Sequence, residues 1–135
     1  MAKKINNQER VTPTQVVPPA IRDDEFFSTY ANNVRYESTV YDLRLIFGHV
    51  DLEGGKETVL QHTAIAIPWP LVKLLHYFLQ INMLFHQAQN GKIVVPPSQI
   101  PPEFPLPAGE VAKNSEIQQV VEMANKIREE LISGL

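Results

Sequence analysis

Hydrophobic and polar positions alternate with a period of two over residues 33–68, then switch to a helical period over residues 70–90. In the stretch from Asn33, Val34, Tyr36, Ser38 and Val40 share one face. In the next, Leu43, Leu45 and Phe47 share one face and Arg44 and Ile46 the other. From Thr58, Val59, Gln61, Thr63, Ile65 and Ile67 alternate with Leu60, His62, Ala64 and Ala66. This alternation predicts half-buried strands. Gly48 inside the second strand predicts a bulge or a close backbone approach. The glycines in Glu53-Gly54-Gly55-Lys56 supply the positive φ that a tight reversal needs. The result is an antiparallel meander of three or four strands, ending at Pro68.

Pro70 suits a first helical turn, where its missing N–H costs nothing. Leu71, Leu74, Leu75, Phe78, Ile81 and Phe85 then form one broad apolar face, with Lys73, Tyr77, Gln80 and Gln87 opposite. Val72, Leu79 and Met83 extend the apolar arc beyond what one small sheet can cover. Small domains relieve such an excess by pairing, so the chain is expected to self-associate. Gly91 is read as the glycine that closes the helix. Leu45, Phe47, Ile65, Ile67, Leu71, Leu75 and Phe78 are the expected core.

After Gly91 the prolines of IVVPPSQIPPEFPLPAG forbid a helix or a central strand. Ile93, Val95, Ile100, Phe104 and Leu106 between them predict an extended arm laid over a surface. Ser115 and Gln118 form a candidate capping box for a last helix. Its stripe is Ile117, Val120, Val121, Ala124, Ile127 and Leu131. That stripe is expected to dock on a neighbouring protomer or a partner protein, or else back on its own domain. At the other end, Asp23, Asp24 and Glu25 are placed to cap a short turn before Phe26 and Phe27.

The fold class predicted is therefore α+β: a small antiparallel β-meander packed by one long helix, with a proline-rich arm and a C-terminal amphipathic helix. Residues 1–24 form a mobile tail, 25–93 the core domain, 94–109 the arm and 110–135 the C-terminal helix. Proline distribution supports these borders: of 11 prolines, only Pro68 and Pro70 lie between Asp23 and Val95. The tail's VVPP reads as a spacer with polyproline II character, or as a peptide motif for a partner.

Net charge is −3, without a concentrated basic run, which disfavours nucleic-acid binding. Arg35, Tyr36, Tyr41 and Arg44 are the only aromatic-basic grouping, and Glu37 and Asp42 interrupt it. There is no cysteine, so disulfides, thiolate chemistry and cysteine-ligated zinc are excluded and a cytoplasmic location is expected. The N-terminus lacks an apolar signal core, and polar residues interrupt the long helix, so neither export nor a membrane span is expected. Histidines 49, 62, 76 and 86 show neither HxH nor HExxH spacing, so no metal or other cofactor is expected. No serine sits in a glycine-rich elbow, and Gly54-Gly55 lacks the continuation of a phosphate loop. An enzyme is not expected. Asn82 and His86, one turn apart on the apolar side, either make a polar contact across an interface or to a ligand, or mark where the apolar face ends.

Residues 30–93 resemble a bacterial family of small proteins, the domain of unknown function 3467 family. The family's Tyr-x-Asn opening appears as Tyr30-Ala31-Asn32. Its acidic-aromatic pair and Phe-Gly strand end appear as Asp42-Leu43 and Phe47-Gly48. Its helix pattern appears as Lys73-Leu74-Leu75, Asn82 and Gly91-Lys92-Ile93. Leu43 replaces the usual Phe, and His86-Gln87 the usual Tyr-Glu. The family brings no established activity. In element order, with the proline-rich exit, the chain is also similar to the export chaperone SecB, an oligomer that holds unfolded chains in apolar grooves. Three classes of function follow: an oligomeric protein-interaction module, a SecB-like holdase for apolar segments, and a weak nucleic-acid binder built from a sheet-plus-helix dimer.

Overall fold

The computed structural model describes residues 14, 16–51 and 56–134. The α+β prediction holds. Three antiparallel strands, β1 (Asn33–Ser38), β2 (Asp42–Asp51) and β3 (Thr58–Pro68), form one sheet in the order β1-β2-β3. The helix α1 (Trp69–Asn90) follows at once, and after the arm comes α2 (Ser115–Ser133). The arm holds one short 3₁₀ turn, Pro97–Gln99, and a second, Gly109–Lys113, leads from its end into α2. The Glu53-Gly54-Gly55 turn and most of the N-terminal tail lie outside the described residues.

The register explains the alternation. Val34 pairs with Phe47, Tyr36 with Leu45 and Ser38 with Leu43. Across the other ladder, Phe47 pairs with Thr63, Leu45 with Ile65 and Leu43 with Ile67. Directly opposed residues share a face, so these side chains form one apolar face. Arg35, Glu37, Arg44, Ile46, Ala64 and Ala66 lie on the other. The register shifts between Phe47 and Gly48, and Gly48 is buried. A Cβ there would stand 2.8 Å from the Leu60 carbonyl oxygen and 2.9 Å from Val59 Cγ1. Both a bulge and a close approach are present.

Pro68 precedes α1 in extended conformation, and Pro70 sits in its first turn. Gly91 ends it at φ 88°, its N–H donating to the Gln87 carbonyl at 3.0 Å. The Trp69 indole N–H donates to the Thr39 carbonyl at 3.0 Å, tying the start of α1 to the β1–β2 hairpin.

The expected core is corrected in one respect. Among the described residues no hydrophobic side chain is buried. Leu45, Phe47, Ile67 and Leu75 are half-buried, whereas Ile65, Leu71 and Phe78 are exposed. α1 meets β2 and β3 at only a few positions, so most of its apolar face lies off the sheet. The chain as a whole exposes 13050 Å², against about 7,100 Å² expected for a compact monomer of its mass, with the N-terminal segment and the arm exposed as well as α1.

Candidate functional site

No described group of three or more His, Asp or Glu side chains is placed to hold a metal ion. What the chain offers instead is surface, in three regions.

The first is α1. Leu71, Leu74, Leu79, Met83, Leu84 and Phe85 are all exposed, and Phe78 is 52% exposed. Val72 is half-buried. Asn82 and His86 do not meet each other. The Asn82 amide donates to the Phe78 carbonyl at 2.7 Å, one turn back. The Asn90 amide donates to the His86 carbonyl at 3.2 Å and lies 3.4 Å from His86 Nδ1. Both bonds run along the helix, so neither side chain is tied to another element.

The second region joins the arm to α2. The helix is capped by Asn114, not Ser115. Asn114 Oδ1 accepts from the N–H groups of Glu116 at 3.0 Å and Ile117 at 3.4 Å. Asparagine caps as well as serine, and it comes one residue earlier. With Asn114 as the cap, Ser115 and Gln118 make no side-chain bond to each other, and the Gln118 amide donates instead to the Ala112 carbonyl.

Within the single chain, α2 lies back along its own arm. Phe104 N–H donates to Asn125 Oδ1 at 2.8 Å, and Asn125 Nδ2 donates to the Phe104 carbonyl at 3.2 Å. Arg128 Nε donates to the Pro101 carbonyl at 2.8 Å, and its guanidinium lies 3.7 Å from Glu103. Lys92 Nζ donates to the Ser133 carbonyl at 2.9 Å. The arm-facing arc of α2 is Val121, Ala124, Asn125 and Arg128, all half-buried.

The predicted stripe is therefore split. Val121 and Ala124 are half-buried beside Asn125 and Arg128; Val120 and Ile127 stay 65% and 66% exposed, beside Met123 at 64%. Ile117 and Leu131 lie at the margin, at 38% and 43%. Leu131 also lines a cleft of about 350 Å³ with Gln80, Met83, Leu84 and Gln87 of α1. Asn125 and Arg128 were missed in the sequence because they are polar residues inside an apolar stripe. The available signal was the arm: its prolines carry no N–H and interrupt any ladder, which leaves its carbonyls to take donors from a neighbouring element.

The third region lies between residues 23–31 and the sheet. Asp23 caps a single turn, its carboxylate accepting from Glu25 N–H at 2.9 Å and its carbonyl from Phe26 N–H at 3.0 Å. Beyond it, Phe26, Phe27, Phe47 and Ile65 line an open groove of about 900 Å³, with Asp23 and Glu25 among its walls. Asn32 anchors this segment: its N–H donates to the Gly48 carbonyl at 3.1 Å, and its Oδ1 accepts from Val50 N–H at 2.8 Å. His62 Nε2 lies 3.1 Å from the Tyr30 carbonyl and Nδ1 2.8 Å from Thr63 Oγ1. A carbonyl only accepts, so Nε2 carries the proton. The Tyr30-Ala31-Asn32 and Phe47-Gly48 motifs thus meet at the bulge and hold the entry to β1.

No helix of the described residues is long and apolar enough to cross a membrane. No family model, no curated protein and no solved structure matches this chain.

Proposed function

We propose that the chain is a non-enzymatic protein-interaction module that works as an assembly of its own copies and, through them, holds another protein. The observation that carries the reading is the exposure of α1. A helix with Leu71, Leu74, Phe78, Leu79 and Phe85 between 46% and 63% exposed presents clustered apolar side chains of the kind that mark interaction sites. Covering them with like surface from another copy offsets the cost of their exposure, at roughly 25 cal/mol per Å². In this reading Asn82, His86, Val72, Leu79 and Met83 lie within or beside the covered face, and Val120 and Ile127 serve the external partner. The same proposal assigns the chain to the cytoplasm and the Tyr30–Ile93 motifs to the domain of unknown function 3467 family. Light scattering at tens of micromolar tests it. A mass of twice 15.3 kDa or more supports self-association, and a monomer refutes it.

The groove between residues 23–31 and the sheet favours a second reading, a SecB-like holdase. Four apolar walls with carboxylates among them suit an extended apolar segment carrying basic residues. Suppressed aggregation of a chemically unfolded client at stoichiometric ratios supports this role. Unchanged aggregation excludes it.

A further inference from the structure

We propose that two copies of this chain pair edge to edge through β1, antiparallel, about a two-fold axis at Tyr36. The proposal rests on the self-association reading and adds to the α1 face a second contact between copies.

Among the described residues, β1 has a neighbouring strand on one side only. In an antiparallel ladder, alternate residues direct both backbone polar groups to the same side. Thr39 N–H donates to the Asp42 carbonyl at 2.9 Å, and Thr39 continues the register in which Glu37 opposes Arg44 and Arg35 opposes Ile46. Glu37 and Arg35 therefore direct N–H and C=O toward β2. Val34, Tyr36 and Ser38 direct theirs to the open edge. Their side chains are solvent-facing as well, Val34 at 51% and Tyr36 at 72% exposure. A short edge can be blunted by proline, lysine or a bulge; Asn33–Ser38 contains no proline and no lysine.

An axis at Tyr36 matches this polarity. Tyr36 then forms a hydrogen-bonded pair with the second copy's Tyr36, and Val34 does so with the second copy's Ser38, twice. Between them, Arg35 falls opposite the second copy's Glu37 in a pair without backbone bonds, where side chains stand closest. Symmetry makes this happen twice. Glu37 already lies 3.7 Å from Arg44 within its own chain, so each carboxylate sits between two guanidinium groups. The neighbouring registers are repulsive. An axis at Arg35 sets Arg35 against itself, and one at Glu37 sets Glu37 against itself. The sequence Arg35-Tyr36-Glu37 thus encodes one register and penalises the next on either side. The other edge, β3, carries no Lys, Arg, Asp or Glu, so it holds no comparable code. The product is a continuous six-stranded sheet whose apolar face is twice that of one chain.

The natural chain has no cysteine, so Tyr36→Cys gives one thiol that forms a disulfide only with another copy. On the axis the two Cα atoms stand about 5.5 Å apart, within disulfide range. Val40→Cys is the control, because in this arrangement the two positions lie about 27 Å apart. Under mild oxidation of the full chain at micromolar concentration, most of Tyr36→Cys is expected to run as a covalent dimer and little of Val40→Cys. Equal cross-linking of both, or none at Tyr36, overturns the proposal. Arg35→Glu alone and Glu37→Lys alone each set like charges across both rows and are expected to weaken dimerisation about tenfold. Mixing the two single variants sets opposite charges across both rows again and is expected to restore dimers as mixed pairs; no recovery overturns the register. If the natural chain assembles while cross-linking at Tyr36 fails and both reversals leave its mass unchanged, β1 pairing is wrong and self-association through another face stands. A natural chain that is monomeric overturns both.

Discussion

Asn125 holds Phe104 by both of its backbone polar groups, accepting from its N–H at 2.8 Å and donating to its carbonyl at 3.2 Å. A side-chain amide is doing here what a neighbouring strand does in a sheet. The partner residue is followed by Pro105, so a strand could not have continued the ladder. Arg128 repeats the device three residues on, at the Pro101 carbonyl. Two donors on one helical face thereby fix the path of a segment that has no regular structure of its own.

Asn125→Ala is expected to release this clamp. It removes two hydrogen bonds at a half-buried position, so local stability should fall by about 1–3 kcal/mol. Hydrogen exchange reads the effect residue by residue. The Phe104 amide should lose protection while β2 amides keep theirs. An unchanged Phe104 amide contradicts the clamp.

Gly48→Ala tests the bulge. The added methyl would meet the Leu60 backbone oxygen at 2.8 Å, and backbone cannot swing aside as a long side chain does. The expected cost is about 1–3 kcal/mol, seen as a lower melting temperature. Because Asn32 bonds to Gly48 and Val50, the entry to β1 should loosen with it. A variant as stable as the natural chain contradicts the close packing of β2 on β3.

Phe78→Ala separates the two levels of organisation. With Phe78 52% exposed in one chain, truncation should cost more in association than in the fold of a protomer. Burying the remaining ring surface is worth on the order of 2 kcal/mol, so dimer dissociation should rise by more than tenfold. Sedimentation over a dilution series measures it. An unchanged association constant would place Phe78 outside the interface.

Single-stranded DNA should bind weakly or not at all at physiological salt. Arg44 is already 3.7 Å from Glu37, and net charge is −3, so few counterions would be released. A salt-sensitive submicromolar shift of labelled oligonucleotide contradicts this.

Local periodicity made the strands, α1 and α2 legible, because each is dictated by neighbours within a few residues. Gly48, Pro70 and Gly91 were readable for the same reason: each answers a local backbone demand. Where α1 lies on the sheet was not readable. Leu71 and Phe78 look like core on a helical wheel, and only the sparse contact of α1 with β2 and β3 shows that one chain leaves them exposed. The arm-facing arc of α2 was not readable, because it is decided by Asn125 and Arg128. Those donors matter only once the free carbonyls of Pro101 and Phe104 are beside them. For Asn82 and His86, the structure supplies helix-local hydrogen bonds that hydrophobic spacing alone does not reveal.

The central claim is that one copy does not bury enough apolar surface to be stable alone, so folding and association are coupled. Thermal unfolding followed by circular dichroism across a hundredfold range of protein concentration tests it most directly. Coupled folding makes the melting temperature rise with concentration, and dilution to nanomolar should cost helical signal as the assembly dissociates. A melting temperature independent of concentration, with monomer mass and full helical signal at the lowest concentration, would contradict the account.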